Sequence, residues 1–153
     1  MNLTTKYLLI ALIYIIAYIY SIVLAPKIAA STSPVWQSVN KVHESCILNC
    51  SVAAPVLEKT RGPNYYIGEE NDPSLNNCLM TFWSLSHMFF YAILGAIFPE
   101  MFWETMTIGV GFELYEKYTF GCEDYLDFLV YNPAGFGIGY LLRRKIIDKY
   151  LLR

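Results

Sequence analysis

Among the ionisable residues of a predominantly apolar stretch, residues 79–142, five lie inside or at the edges of its apolar segments and have types that could do chemistry. They are His87, Glu104, Glu113, Glu116 and Asp127. A histidine with two or three carboxylates could bind a metal ion, move protons as a general acid and base, or hold a polar lipid headgroup. Because a charge at membrane depth costs about 2.5–3.5 kcal/mol, such residues are expected to face the interior of a helix bundle.

The composition of the chain is typical of a membrane protein. Of 153 residues, 56% are hydrophobic and 16% are charged, whereas soluble domains contain about 25% charged residues. The length allows one compact domain. A net charge of -2, with no basic stripe and no glycine-rich phosphate loop, argues against nucleic-acid and nucleotide binding.

Four apolar segments must position the ionisable residues, and the expected fold is an all-α, polytopic bundle of four transmembrane spans. About 20 apolar residues cross the ~30 Å hydrocarbon layer as a helix. The predicted spans cover residues 7–25, 78–98, 101–118 and 125–142. The first span is predicted to be a retained anchor and not a signal peptide, because a signal core is only about 7–15 residues long.

These spans predict four parts along the chain. Residues 1–25 form an N-terminal anchor, 26–77 a non-cytoplasmic loop, 78–142 a three-helix core and 143–153 a basic tail. The basic residues of the tail place it on the cytoplasmic side of the membrane. Four spans then place the N-terminus on that side and the cysteine-bearing loops on the other.

The long loop is predicted to contain an amphipathic helix over residues 34–50. Ser33 is a suitable N-cap, and Pro34 would occupy the first helical position. Apolar residues follow at helical spacing, and they indicate a helix that lies on the bundle or at the membrane surface.

Helix arithmetic predicts that most of the ionisable residues meet at one depth. His87 lies twelve residues before the turn at Pro99, and Glu113 lies fourteen residues after it. At about 1.5 Å per residue, the two depths agree within about 3 Å. The expected polar chamber contains His87, Glu113, Glu116, Asp127 and Asn132, whereas Glu104 lies near the turn and reaches water.

Two interpretations of this chamber stay open. In the first, it is a functional site with His87, Glu113, Glu116 and Asp127 as candidate catalytic groups, and with Tyr91 and Asn132 as candidate ligand-binding groups. In the second, it is a hydrogen-bonded polar core that holds three helices in register. No cofactor is predicted under either interpretation.

The four cysteines lie on the predicted non-cytoplasmic side, where disulfides persist. A Cys78–Cys122 bridge would join two helices and leave Cys46–Cys50 as the remaining pair, but the sequence does not fix the connectivity. A zinc site formed by His43, Cys46, Cys50 and Cys78 is the alternative. Its C-x3-C spacing differs from the more common C-x2-C spacing, so the zinc site is disfavoured.

Glycines in the second half of the chain predict close helix packing. Gly135 and Gly139 form a small-xxx-small pair with Gly137 between them, and Gly109 and Gly111 lie on the preceding helix. Residues without a side chain let two helix backbones approach closely.

Three motifs between about residues 86 and 142 resemble the VanZ-like family of small integral membrane proteins. They are SHMFFYAILG around His87, GVGFELYEKY around Glu113, and DFLVYNPAGFGIG from Asp127. Asp127 and Asn132 are one residue further apart than in the family, and Glu116 stands where glutamine is usual. The resemblance implies a membrane architecture with a polar cluster, and it implies no particular reaction.

The predicted function is that of a non-enzymatic accessory or structural component of a membrane or membrane-bound assembly. Its expected partners are membrane lipid and other membrane proteins. The alternative is an envelope or lipid-handling enzyme, or a protein that binds a polar headgroup or a metal through the cluster. Ion or proton transport is a weaker hypothesis, because the sequence contains no inverted repeat.

Overall fold

The protein divides into two compact units, and each is described separately. Unit 1 is Met1–Glu44 and unit 2 is Ser45–Arg153. The structure is a computed structural model that describes residues 2–20, 23, 27, 32–35, 37–38, 46–50, 52, 55, 78–120 and 124–151. The described residues of both units are mainly helical, and unit 2 adds one small sheet.

Unit 1 begins with helix α1, Leu3–Ile19. Asn2 caps this helix, because its side-chain oxygen accepts hydrogen bonds from the backbone N–H and the hydroxyl of Thr5, both at 2.8 Å. A helical turn begins at Pro34, where the N–H of Gln37 donates to the carbonyl of Ser33 at 3.0 Å. The described residues are therefore helical where the helix over residues 34–50 was predicted to begin.

The predicted end of that helix is wrong, because the chain forms a strand there. Strand β1, Cys46–Asn49, pairs antiparallel with strand β2, Cys78–Thr81, with an irregular register. Pairing with a distant segment satisfies the backbone groups of β1 and outweighs the helical spacing of its apolar residues.

The cysteine pairing also differs from the prediction. Cys46 and Cys78 form a disulfide with their Cα atoms 5.7 Å apart, and Cys50 is a free thiol. The predicted Cys78–Cys122 and Cys46–Cys50 bridges are therefore wrong, and Cys122 itself lies outside the described residues. The zinc alternative is also wrong, because two of its four ligands are oxidised and have no thiolate to offer. Its fourth candidate, His43, lies outside the described residues.

Three helical stretches form the main body of unit 2. Helix α2, Phe82–Ile97, follows β2 directly, and helix α3, Phe102–Phe120, follows the turn after Phe98. The third stretch consists of a π-helical turn π1, Asp127–Tyr131, helix α4, Asn132–Leu142, and a second π-helical segment π2, Arg143–Leu151.

Glycines bring the backbones of α2 and α4 into contact. A Cβ atom added to Gly95 would overlap the backbone of Phe136, and one added to Gly135 would overlap the backbone of Met88. A Cβ at Gly139 would overlap the backbone of Ala92. The close packing predicted from the Gly135 and Gly139 pair is confirmed.

The prediction of four membrane-spanning helices is wrong, and the multi-pass localisation fails with it. Within the described parts of the chain, no helix is both long enough and apolar enough to cross a membrane. Helices α1 and α2 have 17 and 16 residues, which is about 24–26 Å at 1.5 Å per residue, whereas the hydrocarbon layer is about 30 Å thick. Helix α3 is longer, but it carries three glutamates and a lysine. The last predicted span is divided into π1 and an 11-residue helix.

The side chain of Arg143 caps the C-terminal end of α2. Its guanidinium Nη1 donates to the carbonyl oxygens of Ala96 at 3.0 Å and Ile97 at 3.3 Å. These carbonyls belong to the last turn of a helix, where intrahelical donors run out and positive charge is favoured.

Replacing Arg143 by alanine is expected to lower the free energy of unfolding by about 1–2 kcal/mol, because two charge-assisted hydrogen bonds are lost. Urea denaturation followed by circular dichroism measures this change. Arg144→Ala is the matched control, since Arg144 is exposed and its Nη1 donates to the hydroxyl of Tyr140, four residues earlier in the chain. The control should change stability by about 0.5 kcal/mol or less. Equal losses in both variants would contradict the capping role.

Candidate metal centre

Three separate elements of unit 2 each bring one potential metal ligand to the same place. His87 comes from α2, Glu113 from α3 and Asp127 from π1, and one ligand atom of each lies within 4.8 Å of the others. Glu113 is 5% exposed and Asp127 2% exposed. The convergence predicted by helix arithmetic is confirmed for these three residues.

The His87 ring is held by three neighbours. Its Nδ1 atom lies 3.3 Å from Oδ1 of Asn132 and 3.8 Å from Oδ2 of Asp127. The ring packs edge-on against Trp83, with ring centroids 5.0 Å apart. The i, i+4 spacing of Trp83 and His87 on α2 was the signal in the sequence for this contact.

The π turn explains why Asp127 and Asn132 face the same histidine. In an α-helix, residues five apart point about 140° away from each other. In π1 the N–H of Asn132 bonds the carbonyl of Asp127, and this i to i+5 bond stacks the two residues one above the other. Asp127 and Asn132 are one residue further apart than the four-residue spacing that an α-helix aligns, and the π turn accommodates this additional residue. Single π turns occur frequently at functional sites.

Asp124 begins the helical stretch that carries Asp127. Its Oδ1 accepts a hydrogen bond from the N–H of Leu126 at 2.9 Å, and its carbonyl accepts one from the N–H of Asp127 at 3.0 Å. These two bonds satisfy the first donors of the helix, as an N-cap does. They also fix the position of Asp127 at the start of π1.

Tyr91 and Asn132, the two candidate ligand-binding residues, come together above Gly109 of α3. A Cβ atom added to Gly109 would overlap the Tyr91 hydroxyl and would lie 3.3 Å from Nδ2 of Asn132. Both polar side chains are buried. Gly109 therefore leaves the space that these groups occupy beside the cluster. Their role in ligand binding stays a prediction.

The predictions for two glutamates of α3 have different outcomes. The side chain of Glu116 lies outside the described part of the structure, so its predicted role is not tested. Glu104 lies nine residues before Glu113, which is about 13–14 Å along the helix axis. The exclusion of Glu104 from the cluster agrees with this separation.

The two buried carboxylates make the cluster a site for positive charge. One oxygen of each, Oε1 of Glu113 and Oδ1 of Asp127, is buried and accepts no hydrogen bond from the described residues, while both side chains make other interactions. Carboxylates this close in a buried place require a proton or another cation nearby, because two negative charges repel strongly at low dielectric.

Comparison of the chain with models of protein families, with curated proteins and with solved structures finds no match. The resemblance to the VanZ-like family therefore stays a prediction that rests on the motif residues. Function has to be argued from the geometry of the site.

Proposed function

We propose that unit 2 binds a divalent transition-metal ion and that His87, Glu113 and Asp127 are its protein ligands. The observation that supports this proposal is that their three ligand atoms all lie within 4.8 Å of one another. Two ligands at about 2.1 Å from one metal ion lie at most about 4.2 Å apart. The 3.8 Å between Nδ1 of His87 and Oδ2 of Asp127 already fits. A separation as wide as 4.8 Å would shorten to about 4.2 Å through small side-chain rotations when the metal ion binds.

The donor set indicates the class of metal. Imidazole nitrogen suits zinc, copper, iron and nickel, whereas carboxylate oxygen suits magnesium, calcium and manganese. One nitrogen with two oxygens therefore favours a first-row divalent ion such as Zn²⁺, Fe²⁺ or Mn²⁺. Ca²⁺ takes six to eight oxygen ligands, so the imidazole nitrogen of the donor set disfavours it.

Charge balance supports a divalent ion in this place. Two ionised carboxylates and a neutral imidazole carry a charge of -2, which a divalent ion cancels. Burial strengthens this attraction, because few water molecules screen it. Asn132 contacts the same Nδ1 atom of His87 at 3.3 Å, so a metal ion bound at Nδ1 would replace this contact and leave Asn132 beside the ligands.

The second candidate function is the purely structural one. The contacts of His87 with Asn132 and Asp127 favour it, because they already link α2 to the stretch that contains π1 and α4. In that case the cluster would hold helices in register for a non-enzymatic structural or accessory role. The predicted lipid and protein partners are not tested by these contacts and stay predictions.

A metal titration separates the two candidates. We expect protein stripped with a chelator to bind one Mn²⁺ per chain, as measured by the loss of the free-ion electron paramagnetic resonance signal. Glu113→Gln removes one charged ligand and should weaken binding by at least about 10-fold, because even residues outside the ligand set change metal affinity by 10–100-fold. Affinity should also fall as the pH is lowered, because protons compete for all three ligands.

Glu104→Gln is the matched control, since it makes the same chemical change in the same helix outside the cluster. It should leave the Mn²⁺ affinity unchanged. Absence of stoichiometric binding to the wild-type protein would overturn the metal proposal and favour the structural candidate. An equal loss of affinity in Glu104→Gln would show that binding is not at this cluster.

A further inference from the structure

We infer, on the basis of the proposed metal site, that the Cys46–Cys78 disulfide regulates its affinity. The oxidised bond holds strand β2 in place, and β2 is hydrogen-bonded to α2, which carries His87, and to π1, which carries Asp127 and directly precedes Asn132. Reduction of the disulfide is expected to loosen the site and release the metal.

The disulfide is well placed to fix β2. Cys78 is the first residue of β2 and is fully buried, and its partner Cys46 is the first residue of β1. Among the described residues, the sheet has these two strands of four residues each. An isolated two-stranded sheet is marginally stable in water, so a covalent bond between the strands adds a constraint on the position of β2.

One connection leads from β2 to His87. Thr81, the last residue of β2, is the N-cap of α2, and its hydroxyl oxygen accepts a hydrogen bond from the N–H of Ser84 at 3.2 Å. Thr81 and Ser84 are both buried. His87 lies one turn further along the same helix, so the position of β2 sets the start of the helix that carries it.

A second connection leads from β2 to the π turn. The Tyr131 hydroxyl donates a hydrogen bond to the backbone carbonyl of Leu79, which is the neighbour of Cys78 in β2. Tyr131 is buried and is the last residue of π1, so it lies between Asp127 and Asn132 in the chain and directly precedes Asn132. Movement of β2 would therefore act on both residues that contact Nδ1 of His87.

The redox step requires a dithiol reductant. One of its thiolates attacks a sulfur of the disulfide to form a mixed disulfide, and its second thiolate then displaces the remaining cysteine. Two electrons pass from the dithiol to Cys46 and Cys78, which take up two protons and become thiols. The reductant leaves as a disulfide. By thermodynamic linkage, bound metal in turn favours the oxidised form.

Mn²⁺ is the suitable probe, because it prefers oxygen ligands and binds the newly formed thiols poorly, whereas Zn²⁺ would bind them. The Mn²⁺ affinity of the oxidised wild-type protein is compared with that of a Cys46→Ser/Cys78→Ser double variant. We expect at least about 10-fold weaker binding in the double variant, the loss typical of a disturbed metal-site environment. Cys50→Ser is the control, since it removes the free thiol and keeps the disulfide, and its affinity should equal that of the wild type.

Tyr131→Phe tests the connection without touching a cysteine. It keeps the ring and the disulfide but removes the hydrogen bond to Leu79, so binding should weaken in the oxidised protein. This variant carries the test if circular dichroism shows that the double variant does not fold. Wild-type affinity in Tyr131→Phe, or in a folded double variant, would overturn the regulation alone. Oxidised wild-type protein that binds no Mn²⁺ would overturn the metal site itself.

Discussion

Replacing Gly139 by alanine is expected to lower the free energy of unfolding of unit 2 by about 3 kcal/mol, because the added methyl group forces α2 and α4 apart. The new Cβ would overlap the carbonyl oxygen of Ala92 and lie 2.7 Å from its carbonyl carbon and 2.8 Å from the backbone nitrogen of Ala96. All three atoms belong to the backbone of α2, so no side chain can rotate away. Urea denaturation followed by far-ultraviolet circular dichroism measures the loss.

Gly137→Ala is the matched control for this prediction. Gly137 is in the same helix, two residues away, and a Cβ there would meet no atom within 4 Å. Because alanine favours a helix over glycine by about 0.5–1 kcal/mol, this variant should be more stable than the wild type. Opposite signs for the two variants are the expected outcome. A gain in both would show that helix propensity outweighs the contact with α2, and a loss in Gly137→Ala would contradict its use as a control.

The sequence predicted this packing because the relevant geometry lies within single helices. An i, i+4 spacing places Gly135 and Gly139 on one face, and Gly137 then lies on another. The meeting of His87 and Glu113 was predictable for a similar reason. Backbone hydrogen bonds fix the rise per residue, so counting residues from the turn gives the level of each side chain in its helix.

Predictions failed where distant segments decide the structure. The second predicted span, residues 78–98, loses its first four residues to β2, because Cys78–Thr81 pairs with β1 and not with its own helix. The remaining helix has 16 residues. The paired strands are joined by a disulfide between cysteines 32 positions apart, and connectivity over such a distance cannot be read from a single sequence.

The π turn could not be predicted from the sequence, although the spacing of two residues that face His87 was unusual for an α-helix. Asp127 and Asn132 are five residues apart, and an α-helix would direct only one of them towards His87. Nothing in the residue types of DFLVY distinguishes a π turn from an α turn. The turn becomes apparent only through the bond between the N–H of Asn132 and the carbonyl of Asp127.

Deleting Val130 is therefore expected to preserve the metal site, whereas deleting Val110 is expected to destroy it. Without Val130, Asp127 and Asn132 are four residues apart, and an ordinary α turn keeps them on one face. Without Val110, Glu113 turns by about 100° relative to the residues before it in α3. We expect a Mn²⁺ affinity close to that of the wild type in the first variant. In the second, we expect a loss of at least about 10-fold, as for removal of the Glu113 carboxylate.

The two deletions form a closely matched pair. Each removes one valine from a helical segment of unit 2, and the two valines are 47% and 36% exposed, so neither deletion empties the core. Circular dichroism establishes that both variants fold before Mn²⁺ is titrated. If the Val130 deletion lost affinity while the Val110 deletion retained it, the extra residue of π1 would be needed for metal binding and Glu113 would not. Retained affinity without Val130 and lost affinity without Val110 is the expected result. It would show that the π turn accommodates one residue more than an α turn while Asp127 and Asn132 stay on the same face.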